Sequence, residues 1–432
     1  MKGAWKRVFV ALLCVSMLSG CVTELSSSTT EEGDLASDPI VSEQESSSIE
    51  EEKEEETSVR YWRERVNFGI RVEEGVMWLG NEKVYEAGVN CYNLFNQCFA
   101  DGYKADKAKA ALDVLSTYNV KVVRFNCGGY ASSFIGDYYA HIDDYLRLLG
   151  EIAAYAETLE IGLIPSFFWL YHAVPDYFDE PIRSWGRENS QTVEFLRAYT
   201  TKIVGALKDY KSVFAWEFGN EFNLSCDLPN AAEHVPALPV GSKRQSRTEE
   251  DYLSVEDVNF ALGEFASTIR KIDDTGRMIT SGNATLRPSQ YNQWFYGTWQ
   301  QDTVAQFKKI TGMFAPEGVD TVSEHVYFTS QTTFGKELSL EEYLQYATAN
   351  AKALNKAYFV GEWGGGSGAD ASYYERIGNA FIDAGVQIAL LWNYNLQENS
   401  VEYSFSAESD RGKMLLEVVE KMNLRYDETF GC

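Results

Sequence analysis

Histidine is scarce in this sequence, with 4 residues among 432. A catalytic metal site usually draws several His or Asp ligands to one place. Of the four histidines, only His325 falls convincingly at the end of a predicted strand. The sequence therefore argues against a metal-dependent enzyme, and we expect neither a metal ion nor an organic cofactor.

Basic residues are also few. The chain has 38 Lys and Arg against 64 Asp and Glu, for a net charge of −26. A surface with this balance repels the phosphate backbone of DNA or RNA over most of its area. We therefore expect no nucleic-acid partner.

Long apolar runs are missing as well. No stretch reaches the roughly 20 apolar residues that a helix needs to cross a bilayer. The run Val8–Leu18 comes nearest, and three basic residues precede it within positions 2–7. That order is typical of a secretory signal peptide. The run leads into Leu18-Ser19-Gly20-Cys21, which resembles the bacterial lipobox and so implies cleavage after residue 20 and lipidation of Cys21.

The segment 24–57 lacks the apolar side chains that build a core. It holds 13 Asp or Glu and one Lys, and much of the remainder is Ser and Thr. Such a segment stays solvated and is extended by its own charge. We predict a signal peptide at 1–20, a lipidated Cys21 with a disordered tether at 21–60, and a folded domain at 61–432. The protein would be exported and held at the bacterial cell surface by its lipid.

Beyond residue 60, short apolar runs alternate with segments of helical period. Two runs, Phe68–Val72 and Val76–Leu79, flank Gly75 and predict a β-hairpin. Eight further runs predict strands, which centre near Val89, Val123, Ile164, Ala215, Ile279, Ser323, Phe359 and Leu390.

The intervening segments read as helices. Helical spacing is clearest over 142–156, and the pairs Ser254/Asp257 and Ser339/Glu342 have the spacing of capping boxes. Eight strand–helix units predict an α/β protein with a (β/α)₈ TIM barrel after the hairpin. We expect one such domain and a monomer.

A doubly wound open sheet is the alternative fold. It usually carries a glycine-rich phosphate loop after its first strand. The first strand here continues as Gly88-Val89-Asn90-Cys91-Tyr92-Asn93, which has no such fingerprint. The longest connection, Phe222 to Ser254, follows the fourth barrel strand and should lie on the catalytic face.

Functional groups of a barrel collect where its strands end, and these ends are polar. Five of them read Arg124-Phe125-Asn126, Trp216-Glu217-Phe218-Gly219-Asn220-Glu221, Glu324-His325-Val326-Tyr327, Gly361-Glu362-Trp363-Gly364 and Leu391-Trp392-Asn393-Tyr394. Glu221 and Glu362 would face each other across the barrel mouth. Buried acids need partners, and Arg124, His325 and Tyr327 are available.

Together these residues resemble the clan A glycoside hydrolases, and most nearly glycoside hydrolase family 5, the cellulase and mannanase family, over about 68–423. The resemblance implies that Glu221 is the acid/base and Glu362 the nucleophile. It also implies a set of substrate-binding residues, to which we add two neighbouring tryptophans. The whole set is Arg124, Asn220, His325, Tyr327, Trp392, Trp169 and Trp363.

Two positions depart from the family pattern. Phe222 stands where the family usually has proline after its Asn-Glu pair. The third strand ends Ser166-Phe167-Phe168-Trp169 without the family's frequent histidine, although His172 follows three residues later. These departures leave the identity of the sugar open.

The resemblance further implies a retaining double displacement on a β-linked polysaccharide or oligosaccharide, a β-glucan or a β-mannan, with the carboxyls about 5–5.5 Å apart. Arg124 and Tyr327 should lower the pKa of Glu362, while the neighbouring negative charge should raise that of Glu221. A non-catalytic glycan-binding surface lipoprotein is the alternative function. The paired glutamates argue against it.

The remaining candidates have weaker signals. Glu217 should anchor structure one barrel layer deeper, and Glu324 should point toward the helices. Five aromatic residues are either sugar platforms or ordinary packing: Trp169, Tyr171, Trp294, Tyr296 and Trp299. Five cysteines remain after Cys14 and Cys21, so at least one thiol should be free; they are Cys91, Cys98, Cys127, Cys226 and Cys432.

Overall fold

The computed structural model describes residues 69–129, 131–366, 368–394 and 403–431. The signal peptide, Cys21, the tether, Phe68 and Cys432 lie outside these ranges, so the lipoprotein prediction stays a prediction. Within them, no helix has both the length and the apolar character needed to cross a membrane.

A small antiparallel sheet begins the described chain, with strands β1 (Ile70–Glu73), β2 (Val76–Leu79) and β3 (Glu82–Lys83). The predicted hairpin is confirmed, since β1 pairs with β2 in antiparallel register. Ile70 and Met77 are fully buried in a cluster with Ala215 and Met278, which are the first residues of two barrel strands. The sheet thus covers the end of the barrel opposite the strand ends predicted to carry function.

Eight parallel strands form the barrel, in the order β8-β7-β6-β5-β4-β13-β12-β9. Their bounds are β4 (Glu86–Asn90), β5 (Val122–Asn126), β6 (Gly162–Phe168), β7 (Ala215–Gly219), β8 (Met278–Thr280), β9 (Thr321–Val326), β12 (Ala357–Trp363) and β13 (Ile388–Leu391). At the seam, the Asp320 N–H donates to the Ile279 carbonyl at 2.8 Å. All eight predicted strands and the TIM-barrel class are confirmed.

Helices surround the barrel and extend its loops. They are α1 (Asn96–Ala100), α2 (Asp106–Thr117), α3 (Ser132–Ala140), α4 (Ile142–Thr158), α5 (Ala173–Tyr177), α6 (Gln191–Leu207), α7 (Val255–Arg270), α8 (Gln290–Tyr296), α9 (Val304–Met313), α10 (Leu340–Ala353), α11 (Ala371–Asp383) and α12 (Asp410–Phe430). Ser254 caps α7 and Ser339 caps α10 through the two predicted capping boxes.

The loops that follow the strands carry further elements. A hairpin of β10 (Ser330–Thr333) and β11 (Lys336–Ser339) lies between β9 and α10. Short 3₁₀ turns occupy Ile182–Gly186, Phe222–Ser225, Ala231–Glu233 and Glu249–Asp251. The last three belong to the long connection between β7 and α7, which leaves the carboxyl end of β7 as predicted.

Partly buried ion pairs fix that long connection. Arg247 donates to both oxygens of Asp176 at 2.6 and 2.8 Å, and Arg244 donates to both oxygens of Asp251 at 2.7 and 2.6 Å. Asp176 lies on α5, in the preceding loop. Paired guanidinium–carboxylate contacts of this kind are directional, so the connection is docked against its neighbour.

The four cysteines that the structure describes are Cys91, Cys98, Cys127 and Cys226, and all are buried free thiols. The expectation of at least one free thiol is confirmed. Burial raises the pKa of Cys98 to about 11, so this thiol stays protonated and unreactive at neutral pH.

Candidate active site

Arg124, a fully buried residue of β5, connects the ends of four barrel strands. Its Nε donates to Glu217 Oε1 at 2.6 Å, and its Nη1 donates to Glu362 Oε1 at 2.7 Å and to Asn90 Oδ1 at 2.9 Å. Its Nη2 donates to Asn220 Oδ1 at 2.8 Å. A buried charge is tolerated only when it is paired, and here the guanidinium is paired with two carboxylates.

Glu362 lies near the end of β12, where the register against β9 shifts between Val360 and Glu362 and places it opposite His325. Besides Arg124, it accepts a hydrogen bond from the Tyr327 hydroxyl at 2.7 Å. Its side chain is 5% exposed. The carboxyl is therefore fixed by a donor on each oxygen.

The prediction that the pKa of Glu362 is lowered is wrong. Burial raises its pKa above the ordinary value, although His325 and Arg124 act in the opposite direction. The two predicted donors are present, but the loss of water around the carboxyl outweighs them.

Glu221 follows β7 on a half-buried turn. Its backbone is left-handed, with φ 55° and ψ 29°, and its side chain is 31% exposed. His325 Nδ1 lies 2.9 Å from Glu221 Oε1. The predicted rise in the pKa of Glu221 is confirmed at about 7, but its cause is burial of the carboxyl rather than the neighbouring charge.

His325 lies between the two carboxyls, with its Nδ1 also 3.5 Å from Glu362 Oε2. Burial lowers the pKa of His325 to about 4, so the ring is neutral at physiological pH. We place its proton on Nδ1 because that nitrogen faces both carboxyls. Glu221, His325 and Glu362 are close enough together to bind a metal ion, and no other cluster of three potential ligands lies within the described ranges. The expectation of a metal-free site stays a prediction.

Two tryptophans line the site, and the structure brings them together. The rings of Trp169 and Trp392 are 6.1 Å apart and inclined by 24°, and the Arg124 guanidinium lies 4.8 Å from the Trp169 ring. Tyr92 continues the cluster at 5.9 Å from Trp392. Trp169 is only 5% exposed and contacts both Arg124 and Trp392, whereas Trp392 is half-buried and its ring suits contact with a sugar.

Sequence reasoning missed Asn90 and Tyr92. Asn90 accepts from Arg124 and donates to the Gly361 carbonyl at 2.9 Å, so it links the arginine to the strand that carries Glu362. The signal was available, because Asn90 ends the first barrel strand and Tyr92 follows it two residues later.

The structure corrects the assignment of Trp363 as a substrate-binding residue. Its side chain is fully buried, with ring centres 6.0 Å from Tyr374 and 5.6 Å from Phe381 on α11. Successive strand residues point to opposite faces. Because Glu362 points into the barrel, Trp363 points toward the helices.

The other acidic and histidine candidates have structural partners. Glu324 accepts from Tyr343 of α10 at 3.0 Å and from Tyr358 at 2.8 Å, so it points toward the helices as predicted. Glu217 is fully buried against Arg124. His172 pairs with Asp176 at 2.9 Å and so belongs to the docked loops.

The outer aromatic residues divide into two groups. Trp294 donates from Nε1 to Glu256 at 2.5 Å, and Tyr171 packs edge-on against Phe222. Tyr296 and Trp299 are 62% and 53% exposed in the connection between β8 and α9. The first group thus makes packing contacts, while the second presents its rings to solvent.

Residues 84–398, well over half of the chain, match the family model described as Cellulase (glycosyl hydrolase family 5). No curated protein gives a significant match.

Solved structures share the fold. An endo-1,4-β-mannanase from Rhizomucor miehei is 16% identical, with a TM-score of 0.58 over 82% of this chain and 99% of that one. An endo-β-1,4-mannanase from Thermotoga petrophila is 17% identical, with a TM-score of 0.54 over 80% and 79% of the two chains. A family 5 mannosidase from Rhizomucor miehei is 8% identical, with a TM-score of 0.56 over 83% and 98%. At these identities the likeness supports the barrel fold alone.

Proposed function

The chain belongs to glycosyl hydrolase family 5 and is a glycoside hydrolase, and we propose that it cleaves β-linked polysaccharide or oligosaccharide with retention of anomeric configuration. In this proposal Glu362 is the nucleophile and Glu221 the acid/base. The substrate is a β-mannan or a β-glucan.

The separation of the two carboxyls is the observation that carries the proposal. Oxygens of Glu221 and Glu362 lie within 4.8 Å of each other, as does the nitrogen of His325 between them. Retaining enzymes hold their carboxyls about 5–5.5 Å apart, whereas inverting enzymes need about 6.5–9.5 Å to seat a water molecule. The spacing here favours direct attack by a carboxylate.

The different surroundings of the carboxyls assign their roles. Glu362 has a donor on each oxygen, which suits an ion that attacks the anomeric carbon. Glu221 is more exposed and, with its pKa at about 7, keeps its proton below neutrality. Glu221 gives that proton to the glycosidic oxygen as the bond to the anomeric carbon breaks.

The second step reverses the role of Glu221. Glu362 now forms an ester with the sugar, and Glu221 is a carboxylate. It takes a proton from water, the resulting hydroxide attacks the anomeric carbon, and Glu362 leaves as a carboxylate. Both acids end in their starting forms.

The substrate class is supported by the walls of the site. The half-buried ring of Trp392 suits stacking on a sugar ring, and the buried ring of Trp169 packs beside it. Asn220 is held by Arg124 beside the acid/base, where its amide suits a hydrogen bond to the sugar 2-hydroxyl. The mannanases of similar fold make β-mannan the first polymer to test and β-glucan the second.

Product analysis tests this function. The purified protein should release reducing ends from β-mannan or β-glucan, and proton NMR at early times should show the β-anomer first. Glu362→Ala serves as the inactive control. An α-anomer appearing first would contradict retention, and binding without release from any β-glycan would favour the non-catalytic glycan-binding lipoprotein.

We also propose that the enzyme is a lipid-anchored surface protein, supported by the basic and apolar segments before Cys21 and by the acidic tether. Two acyl chains or more give stable anchoring. Cys21→Ala should abolish partitioning into a detergent phase. Persistent membrane association of that variant would indicate an uncleaved anchor instead.

A further inference from the structure

The backbone of Glu221 has a conformation that needs external support. At φ 55° it lies in the left-handed region that residues with a side chain rarely occupy. Its N–H donates to the Gly282 carbonyl at 2.8 Å. A single 3₁₀ turn, Phe222–Ser225, follows it. The direction of the Glu221 carboxyl therefore depends on what holds this turn.

Asn223 holds the turn from inside. Its side chain is fully buried and pairs with the backbone of Ala284, donating from Nδ2 to the carbonyl at 2.8 Å and accepting from the N–H at 2.9 Å. The pair joins the turn after β7 to the segment after β8. Such a paired contact fixes both the distance and the orientation of the two segments.

Arg287 holds the turn from its far end. Its Nη1 donates to the carbonyl of Leu224 at 2.7 Å and of Asn223 at 3.2 Å, and its Nη2 donates to the carbonyl of Cys226 at 2.6 Å. Its Nε donates to Gln293 Oε1 at 2.6 Å. All three nitrogens of the guanidinium thus donate to the turn or to Gln293. A lysine could not reproduce this planar set of donors.

The supporting segment also reaches the partner of Glu221. The Thr285 hydroxyl donates to the carbonyl of His325 at 2.8 Å. The segment 282–287 therefore contacts the backbone of both residues in the 2.9 Å hydrogen bond between Glu221 and His325.

We propose that Asn223 and Arg287 are positioning residues for the acid/base, which set the direction of the Glu221 carboxyl without contacting the substrate. This inference rests on the proposed role of Glu221. It predicts a defect confined to proton transfer, because Glu362 is held by a separate set of contacts through Arg124 and Tyr327.

The test compares leaving groups. We would measure kcat/KM for 2,4-dinitrophenyl and phenyl β-mannobiosides and β-cellobiosides, since kcat/KM reports the steps through glycosylation. Arg287→Lys should lower the phenyl values by about 10- to 100-fold, as small displacements of a catalytic group do. The dinitrophenyl values should change less than about threefold, because that leaving group departs without an acid.

Arg270→Lys is the matched control. Arg270 likewise binds a backbone carbonyl, that of Arg277 at 2.6 Å, and an acid, Asp320 at 2.6 Å, but it does so before β8 and β9. Melting temperatures would be measured for both variants. A leaving-group effect in Arg270→Lys equal to that in Arg287→Lys would mean general loosening of the barrel and overturn the proposal.

Coupling to Glu221 gives a second readout. In the Glu221→Ala background, Arg287→Lys should cause no further loss on the phenyl substrates, because the group that it positions is gone. Full additivity, or an equal loss on both leaving groups, would overturn the positioning role. If Arg287→Lys does not fold, Asn223→Ala carries the same comparisons.

These experiments distinguish failure of the positioning role from failure of the acid/base assignment. If Glu221→Ala matches the parent on both leaving groups, the acid/base assignment itself is wrong. If Glu221→Ala shows the leaving-group effect and the Arg287 and Asn223 variants do not, only the positioning role is wrong.

Discussion

The ends of β7 and β12 each present a glutamate to the same cleft, but they hold it differently. Glu362 lies within a strand, 5% exposed, with Arg124 and Tyr327 donating to its two oxygens. Glu221 lies beyond a strand on a left-handed turn, 31% exposed, with His325 as its near partner. Two identical side chains thus acquire different chemistry from the backbone that carries them.

The difference concerns freedom as well as charge. A nucleophile reacts from one fixed geometry and benefits from rigid support. An acid/base must exchange protons with both a leaving oxygen and a water molecule, so it needs access to solvent. The strand end suits the first role and the turn suits the second.

Removing the nucleophile should have the largest effect on activity. Glu362→Ala leaves no carboxylate to form the glycosyl ester. We expect turnover of every substrate to fall to about 10⁻⁴ of the parent rate or less. Reducing-end assays at high enzyme concentration would measure it. Substantial activity in this variant would mean that another group attacks the sugar.

Removing the acid/base should have a smaller and selective effect. Glu221→Ala should reduce activity on polysaccharide by about 10²- to 10⁴-fold. Azide should restore turnover of a dinitrophenyl glycoside and yield a β-glycosyl azide, because the anion needs no base. Glu217→Ala and Glu324→Ala are the controls and should show no azide rescue. Rescue in Glu217→Ala would transfer the role to that residue.

Weakening the support of Glu362 should change both the rate and its pH dependence. Tyr327→Phe removes one donor, and we expect kcat to fall by about 10- to 100-fold. The pKa of Glu362 should rise further, so the acid limb of the pH profile should move to higher pH. A profile measured on a dinitrophenyl glycoside would show this shift. An unchanged acid limb would mean that Tyr327 does not stabilise the ionised carboxylate.

The alkaline limb reports the other carboxyl. The pKa of Glu221 is about 7, so a rise in pH through 7 removes the proton that Glu221 must donate. We expect kcat/KM on a phenyl glycoside to fall about tenfold per pH unit above 7. Glu221→Gln should lose this limb. A limb that persists in the variant would belong to another group.

The exposed aromatic residues should have the smallest effect. Tyr296→Ala and Trp299→Ala remove rings that are 62% and 53% exposed. Neither ring holds a catalytic carboxyl in place. We expect KM for polysaccharide to rise by about two- to tenfold, with no change for aryl glycosides. An equal change for both substrates would indicate altered loop packing.

The sequence predicted the barrel well because its strands are short apolar runs, and such runs survive any change in the loops. It did not predict β3, β10 or β11, which are short and largely exposed. Exposed strands of two to four residues leave no alternation for a pattern to reveal.

The sequence predicted which residues meet at the site better than it predicted their pKa values. Residues that end strands were found because a barrel brings strand ends together. Trp363 was misassigned because adjacency to Glu362 in sequence was taken as adjacency in space. The pKa of Glu362 was misjudged because partners can be read from a sequence, whereas the depth of burial cannot.

Covalent labelling tests the central assignment most directly. A 2,4-dinitrophenyl 2-deoxy-2-fluoro-β-glycoside of the active sugar should glycosylate the nucleophile and release dinitrophenolate. The fluorine slows both steps, but the activated leaving group offsets its effect on the first step alone, so the glycosyl-enzyme accumulates. Peptide mapping by mass spectrometry should then place one sugar on Glu362. A sugar on Glu221 or Glu217, or steady hydrolysis of mannan or glucan by a protein that this reagent never labels, would contradict the account.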